Sequence, residues 1–188
     1  MDEYAMLPNI RRHSVIVTRA ALRIVDGFEE NETSPALIPD RFLVAAGGLL
    51  HDIAKTPCLK NRCDHALEGA CICRKLGYPE IASIVEEHVV LKEHDEERWR
   101  QGRFDPREII YYADKRVRHE EIVGLDDRLE YILEQYGHDD PALHRIIRIN
   151  FARCVALEQH LFAFMPFTSD QLAEKVAQTP ADEFFVLL

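Results

Sequence analysis

His51 and Asp52 stand next to each other at the end of an apolar run that covers residues 42–53. Single histidines and aspartates recur at intervals on both sides of this pair, at His13, His65, His88 and Asp114. Imidazole nitrogens and carboxylate oxygens are the ligands with which proteins bind many divalent metals. The residue types therefore indicate a metal site, provided that the fold brings them together.

Helical periodicity accounts for most of the chain. Apolar residues recur at helical spacing in successive segments, and prolines, glycines and capping residues separate these segments. We predict helices over residues 9–25, 42–57, 64–77, 79–88, 105–117, 125–136 and 141–165, followed by one short helix. No run of alternating polarity indicates a sheet. The predicted fold is all-α, a single helical bundle of about six to eight helices over residues 1–188.

Three of the candidate ligands fall on apolar helix stripes. His13, His88 and Asp114 each lie on the apolar face of a different predicted helix. A buried imidazole or carboxylate without a partner costs several kcal/mol, so each of these residues needs a strong partner. A lone histidine on such a stripe is more often a hydrogen-bonded core residue. Three helices that each place one such residue inward, beside an adjacent His-Asp pair, favour a shared metal ion.

Glycine and proline mark the first two predicted helices. Gly47 and Gly48 would each cost roughly 1 kcal/mol of helix stability relative to alanine, which indicates that another backbone passes close by. Pro57 should end this helix, because proline removes a hydrogen bond and clashes with the preceding turn. Asp26 and Gly27 should end the helix before it.

The composition limits the partners of the chain. The 188 residues, 47% of them hydrophobic, suit one compact domain, with a motif core at residues 9–124 and C-terminal helices over residues 125–188. A net charge of −10 argues against binding to long nucleic acids. The strongly apolar stretch at residues 42–50 is shorter than the ~20 residues that span a bilayer. Residues 1–10 do not resemble a signal peptide. We therefore expect a cytoplasmic protein without a membrane partner.

Four of the five cysteines form a cluster in the sequence, at Cys58, Cys63, Cys71 and Cys73. Structural zinc sites use two paired C-x2-4-C knuckles, and the Cys-x-Cys spacing has poor geometry within a helix. A chain of this length does not need disulfides, and the cysteine number is odd. We expect reduced thiols rather than a zinc site.

The order of the candidate residues resembles the HD superfamily of metal-dependent phosphohydrolases. Residues 45–55, AAGGLLHDIAK, are similar to the HDIG-type signature of that family. Six separated positions between His13 and Asp114 agree with the family in order and rough spacing, and the resemblance covers about residues 12–117. One departure is Ala54, where members often carry glycine; within a helix this change should be harmless.

The resemblance implies a ligand set. Four positions match the residues that hold one metal in the family: His13, His51, Asp52 and Asp114. Two further positions, His65 and His88, match residues that bind a second ion in the two-metal subgroup, where the carboxylate matching Asp52 bridges both ions. The presence of both histidines favours a dinuclear site. The alternative is one metal, with His65 and His88 contacting the substrate phosphate.

The chemistry follows from this ligand set. Imidazole and carboxylate ligands without thiolate suit Mn, Fe, Co, Ni, Zn or Mg, with one or two ions per chain. Two ions ~3.5–4 Å apart would share a hydroxide that attacks phosphorus, which makes Asp52 a catalytic candidate as well as a ligand. Lys55, one helical turn after His51, could hold a phosphate oxygen in a catalytic and substrate-binding role. Arg118, one turn after Asp114, could bind substrate likewise, although a solvated position is the simpler interpretation.

The resemblance also implies a class of substrate. We expect a hydrolase that acts on a small soluble phosphate ester, a nucleotide or dinucleoside polyphosphate. The alternative is a regulatory helical domain that binds metal or nucleotide without turnover. The apolar tail at residues 184–188 could dock on the domain or on a second copy, which would give a homodimer.

Overall fold

The computed structural model describes residues 1–31, 34 and 37–180. The helices in order are α1 (Pro8–Glu30), α2 (Arg41–Leu50), α3 (Lys55–Asn61), α4 (His65–Lys75), α5 (Pro79–Glu87), α6 (Glu96–Arg100), α7 (Pro106–Lys115), α8 (Leu125–Tyr136), α9 (Pro141–Phe162) and α10 (Leu172–Gln178). The predicted all-α class is confirmed. The described helices outnumber the predicted six to eight because the short helices α3 and α6 form as separate elements. The apolar tail at residues 184–188 lies outside the described residues.

One exception to the helical pattern is a small hairpin after α7. Strands β1 (Val117–Arg118) and β2 (Glu121–Ile122) pair antiparallel, with Val117 opposite Ile122. His119 turns the chain between them with a left-handed φ of 56°. Strands of two residues are too short to show alternating polarity, which is why the sequence did not indicate them.

Helix α1 continues past its predicted end. It runs through Asp26 and Gly27 to Glu30. Gly27 serves packing rather than termination, because a Cβ at this position would lie 2.4 Å from Met165 Sδ and 3.0 Å from the Phe167 ring. The glycine thus lets the segment that follows α9 pack against α1.

Helix α2 ends earlier than predicted, and Pro57 does not end it. The last residue of α2 is Leu50, and residues 51–54 form a turn before α3. Pro57 lies in the first turn of α3, where its missing N–H would have had no partner within the helix. Ala54 therefore precedes a helix rather than lying inside one; its φ of −96° and ψ of 2° suit alanine as well as glycine.

The core is built around α1, which packs against α2, α7 and α10. A Cβ on Gly48 would lie 3.0 Å from Cα of Thr18 in α1, so the predicted close backbone approach at this glycine is confirmed. Gly47 instead faces a side chain, with Ile84 Cγ2 at 2.6 Å from the same ideal position. No helix in the described part of the chain is long and apolar enough to cross a membrane.

The expectation of reduced thiols is wrong for two cysteines, because Cys58 and Cys63 form a disulfide. Arg62 ends α3 in the left-handed conformation, and its amide donates to the Cys58 carbonyl at 2.8 Å. This turn returns Cys63 to Cys58, with their Cα atoms 4.7 Å apart. Cys71, Cys73 and Cys154 are free thiols, as expected. A four-cysteine zinc site would lack two of its ligands.

Gly48→Ala should destabilise the fold by about 1–3 kcal/mol, because the new methyl group meets the backbone of Thr18, which cannot move without disturbing α1. Chemical denaturation measures this difference. Gly124→Ala is the control, since the nearest atom to its Cβ would be Asp127 Oδ2 at 4.0 Å, and it should cost less than about 1 kcal/mol. Equal losses in the two variants would contradict the packing argument.

Candidate metal centre

Helix ends and turns supply most of the candidate ligands. His13 and Asp114 project from within α1 and α7. His51 and Asp52 occupy the turn after α2, His65 is the first residue of α4, and His88 directly follows α5. The structure brings all six side chains together at the point where these elements meet. The six predicted positions therefore converge in the fold.

The first group of ligand atoms lies between α1, α7 and the turn after α2. His13 Nε2 is 3.1 Å from Asp114 Oδ1. His51 Nε2 lies 3.6 Å from the same Asp114 oxygen and 3.5 Å from Asp52 Oδ2. Ligand atoms of His13, His51 and Asp52 lie within 4.8 Å of one another, a spacing at which one cation could contact all three.

The second group lies on the other side of Asp52. His65 Nε2 and His88 Nε2 are 3.3 Å and 3.6 Å from Asp52 Oδ1. The two imidazole nitrogens are 3.2 Å apart. These three residues also have ligand atoms within 4.8 Å of one another. Asp52 belongs to both groups and turns one oxygen towards each, the arrangement that a bridging carboxylate needs.

Backbone carbonyls orient three of the four imidazoles. Nδ1 of His13, His51 and His88 lies 2.9, 2.8 and 2.6 Å from the carbonyl oxygens of residues 119, 48 and 85. A carbonyl oxygen only accepts, so Nδ1–H donates and Nε2 of the neutral ring keeps its lone pair. Metal-binding histidines are commonly fixed in this way, with the second nitrogen aimed at the ion.

Buried polar atoms at the centre lack partners. His51 and Asp52 are buried, and neither His51 Nε2 nor Asp52 Oδ1 has a hydrogen-bond partner among residues 1–31, 34 and 37–180. A buried polar atom left unsatisfied costs about 1–3 kcal/mol. A divalent cation in each group would satisfy both atoms, so the donor set fits metal ions of the kind that bind nitrogen and oxygen ligands.

Electrostatics set the protonation states of three candidate ligands, Asp52, Asp114 and His88. Burial would raise the pKa of Asp52, but His51 and Lys55 hold it well below its usual range. Burial likewise opposes ionisation of Asp114, and His13 and His51 hold its pKa well below the usual range. Burial lowers the pKa of His88 to about 4. Two carboxylates are thus ionised and His88 is neutral at physiological pH.

A pocket of about 480 Å³ opens beside the centre. His65, His88 and Asp114 form part of its lining, together with Lys55. Lys55 Nζ donates to Asp52 Oδ2 at 2.6 Å, and the Asp52 charge, working against burial, raises the pKa of Lys55. The ammonium is therefore positively charged at the wall of the pocket, as the position of Lys55 after His51 suggested.

Arg118 does not line this pocket. Helix α7 ends at Lys115, so Arg118 lies on β1 rather than one helical turn beyond Asp114. Its guanidinium is 3.5 Å from Glu121 Oε2, and it lines a separate depression with His119, Glu120 and Tyr131. A continuous helix would have placed Arg118 one turn after Asp114, but the hairpin turns it away from that position.

Arg128 is the cation that the sequence did not single out. It lies in α8 and lines the same pocket as Lys55, and in the part of the chain that the structure describes its buried Nε has no hydrogen-bond partner. Within the described residues no carboxylate forms a salt bridge with it; the ring of Tyr131 is 5.3 Å from its Cζ. Its spacing from the other site residues carries no pattern, because only the packing of α8 brings it to the pocket.

Comparisons with known proteins identify the family. The sequence model of the HD domain matches residues 10–132, which is more than half of the chain. The chain therefore belongs to the HD domain family, a family of metal-dependent hydrolase type whose members typically bind divalent metals. The matched range contains all six candidate ligands.

Two relatives are similar in sequence to part of this chain. The chain is 34% identical over 140 residues to a tRNA (cytidine(56)-2'-O)-methyltransferase of Picrophilus torridus, an alignment that covers 69% of this chain but 38% of that protein. It is 31% identical over 118 residues to the Uncharacterized protein MJ0778 of Methanocaldococcus jannaschii, covering 57% of this chain and 68% of that one. No solved structure matches the chain significantly. The chain thus spans little more than a third of the methyltransferase.

The stabilisation of the fold by a bound metal should decrease as the pH falls, because His51 is a candidate ligand that can be protonated. Burial lowers the pKa of His51, but the charges of Asp52 and Asp114 outweigh burial and raise this pKa above its ordinary value. Protons therefore compete with metal for Nε2 as the pH falls. Adding Mn²⁺ to chelator-treated protein should raise Tm at pH 7.5, by the equivalent of about 2.7 kcal/mol at a hundredfold excess over Kd. The increase should shrink strongly at pH 5.5.

Differential scanning calorimetry at the two pH values measures this effect, with Mg²⁺-free and Mn²⁺-free buffer as the reference. A Tm increase that is the same at both pH values would show that the metal binds outside the histidine cluster.

Proposed function

We propose that this protein is a metal-dependent hydrolase that cleaves a small soluble phosphate ester. The observation that carries the proposal is the position of Asp52, whose two oxygens face two separate groups of histidines. A carboxylate in this position supports two cations side by side, and two cations side by side suit phosphoryl transfer to water. Membership of the HD domain family supports the same class of reaction.

The ligands divide between the two sides of Asp52. His13, His51 and Asp114 would hold one ion together with Asp52, and His65 and His88 would hold the second, also with Asp52. The proposed metals are those that accept imidazole and carboxylate together, namely Mn, Fe, Co, Ni, Zn or Mg. When bound, such ions supply a hydroxide nucleophile near neutral pH and neutralise charge on the phosphoryl oxygens.

Side chains of the pocket would bind and orient the ester. Lys55 lies in the lining of the pocket next to Asp52, so its ammonium can hold a phosphate oxygen close to the centre. Arg128 presents a second fixed positive charge to the same space, and a guanidinium is well suited to grip phosphate. Asp52 orients both the histidines and Lys55, which makes it the residue on which the geometry depends.

The cellular location, the substrate and the partners of the chain are proposed from the sequence. We propose that the chain acts in the cytoplasm as one domain, on a nucleotide or another small phosphate ester, without long nucleic acids or membranes as partners. A pocket of about 480 Å³ has the size of an ordinary small-molecule site. A homodimer remains a proposal that rests on the apolar tail.

A domain that binds metal without turnover is the second candidate. Alignment with a segment of a longer methyltransferase is what favours it, since such a segment could serve the larger protein by binding alone. Phosphate release by the wild type that disappears in Asp52→Ala, with unchanged helical circular dichroism, distinguishes hydrolysis from this alternative. A fully loaded protein that hydrolyses no member of a broad phosphoester panel would support binding alone.

Metal content should follow the two groups of ligands. Wild-type protein purified anaerobically should carry two ions per chain by elemental analysis. His65→Ala and His88→Ala should each retain about one ion, because they remove ligands on one side of Asp52 only. His51→Ala and Asp114→Ala should abolish metal binding, and they should also abolish activity. The helix content of both variants should be kept.

His94→Ala is the control for these variants, because His94 is exposed and stacks on Trp99 away from the centre. It should keep the wild-type metal content. Unchanged metal content in His65→Ala and His88→Ala, with reduced activity, would instead assign these two histidines to the substrate.

Two cations of the pocket should matter and two matched cations should not. Lys55→Ala and Arg128→Ala should each raise KM for a phosphate ester about tenfold or more, because each loses a charge-assisted hydrogen bond to phosphate. Lys60→Ala, on the exposed side of α3, and Arg118→Ala, paired with Glu121, should stay close to wild type. Steady-state kinetics would refute the assignment of Arg128 if Arg118→Ala had the larger effect.

A further inference from the structure

The lining of the pocket beside the centre contains two kinds of residue. The polar residues include Lys55, Arg128 and three of the candidate ligands. The apolar residues of the lining are Leu59, Val89, Val90, Ile132, Leu143, Ile146, Ile147 and Phe151, with Tyr136 beside them. We call this apolar set the apolar wall. A phosphate group has no favourable place there, so the wall needs a different explanation from the metal centre.

The apolar wall exposes large side chains that a folded protein normally covers. Leu59 is 65% exposed, Val90 45%, Tyr136 52% and Ile146 60%. These residues come from α3, the segment after α5, α8 and α9, yet they converge on one pocket. Scattered exposed apolar residues are ordinary, but apolar residues from separate elements that line one concave surface are typical of a binding site.

The wall offers few partners for hydroxyl groups. Asn150 is a polar residue of the lining, and its amide is already engaged within the protein. Its Nδ2 donates to the Val89 carbonyl at 2.9 Å, and its Oδ1 accepts from the Tyr111 hydroxyl at 2.8 Å. A ligand rich in hydroxyls, such as a sugar phosphate, would give up hydrogen bonds to water here without replacing them.

We propose that the pocket selects soluble phosphate esters whose organic group is apolar, aromatic or branched aliphatic, and that the apolar wall holds this group. The phosphate half of the argument rests on the proposed function. Lys55 and Arg128 bind the phosphate, and the apolar wall removes the organic group from water. Sugar phosphates, with nucleotides among them, and dinucleoside polyphosphates carry hydroxyls or charges away from the cleaved bond and fit the apolar wall poorly. The pocket therefore favours another small phosphate ester over the nucleotide that the family resemblance suggests.

Binding can be tested without turnover. The probes are 1-naphthylmethylphosphonate and methylphosphonate, which share the charged group and resist hydrolysis. Calorimetric titration of the full chain loaded with Mn²⁺ should give a Kd at least about tenfold lower for the naphthyl probe, because burial of its ring adds favourable free energy. Equal affinities would overturn the proposal.

Two isoleucines of α9 make a matched pair for mutation. Ile146 lines the pocket, whereas Ile149 is 54% exposed and lines a different depression with His144 and Arg148. Ile146→Asn should reduce the preference for the naphthyl probe about fivefold or more, and Ile149→Asn should leave it unchanged. Leu59→Asn, in α3 instead of α9, gives an independent second variant. Equal effects of Ile146→Asn and Ile149→Asn would overturn the proposal.

Hydrolysis assays separate this proposal from the one on which it rests. 1-Naphthylmethyl phosphate, which like glucose 6-phosphate is the ester of a primary alcohol, should exceed glucose 6-phosphate in kcat/KM at least about tenfold. Hydrolysis of both at equal efficiency would overturn the pocket proposal and leave the hydrolase intact. Naphthyl binding that depends on Ile146, without hydrolysis of any ester, would keep the pocket proposal and reject the hydrolase. A change from dimer to monomer in Ile146→Asn, with unchanged probe affinities, would assign the wall to contact between copies and overturn the proposal.

Discussion

The buried carboxylate of Asp52 is the constraint on which the rest of this structure depends. An ionised group in the interior costs several kcal/mol unless opposite charge compensates it. Asp114 adds a second carboxylate nearby, 3.6 Å from the His51 nitrogen that also faces Asp52. The Lys55 ammonium compensates part of this charge, because it donates a hydrogen bond to Oδ2 of Asp52. The neighbouring imidazoles turn lone pairs inwards, and a lone pair does not compensate a negative charge. Cations bound between these groups would supply the remaining compensation.

The helix ends provide the orientation that this centre needs. His51 and His88 each follow directly after a helix, and each places Nδ1 against the carbonyl oxygen three residues earlier. Carbonyls in the last turn of a helix have no partner within the helix, so they are free to accept from an imidazole. The early end of α2 at Leu50 therefore has a function: a helix continued to Pro57 would have paired the Gly48 carbonyl with the backbone instead of with His51.

The residue pattern predicted which side chains converge better than it predicted where the helices end. Inward-facing His13, His88 and Asp114 follow from helical periodicity, and the six candidate ligands do meet. The end of α2 and the placement of Arg118 could not be read from periodicity, because a turn and a two-residue hairpin leave no periodic signal. Arg128 and the disulfide depend on contacts between distant or turned segments, which spacing along the chain does not encode.

The pocket combines residues from inside and beyond the range that matches the HD domain. All six candidate ligands lie within that range, as do four residues of the apolar wall, whereas α9, which contributes Ile146 to the wall, lies beyond residue 132. The proposed chemistry thus lies in the part shared with the family. Part of the proposed selectivity would come from α9, so that changes in this helix could alter the substrate while the centre stays the same.

Anomalous X-ray diffraction from crystals of Mn²⁺-loaded protein tests the central claim most directly. The account predicts two anomalous peaks, one on each side of the Asp52 carboxylate, the first within reach of His13, His51 and Asp114 and the second within reach of His65 and His88. A single peak away from Asp52, or no peak among these six residues, would contradict it.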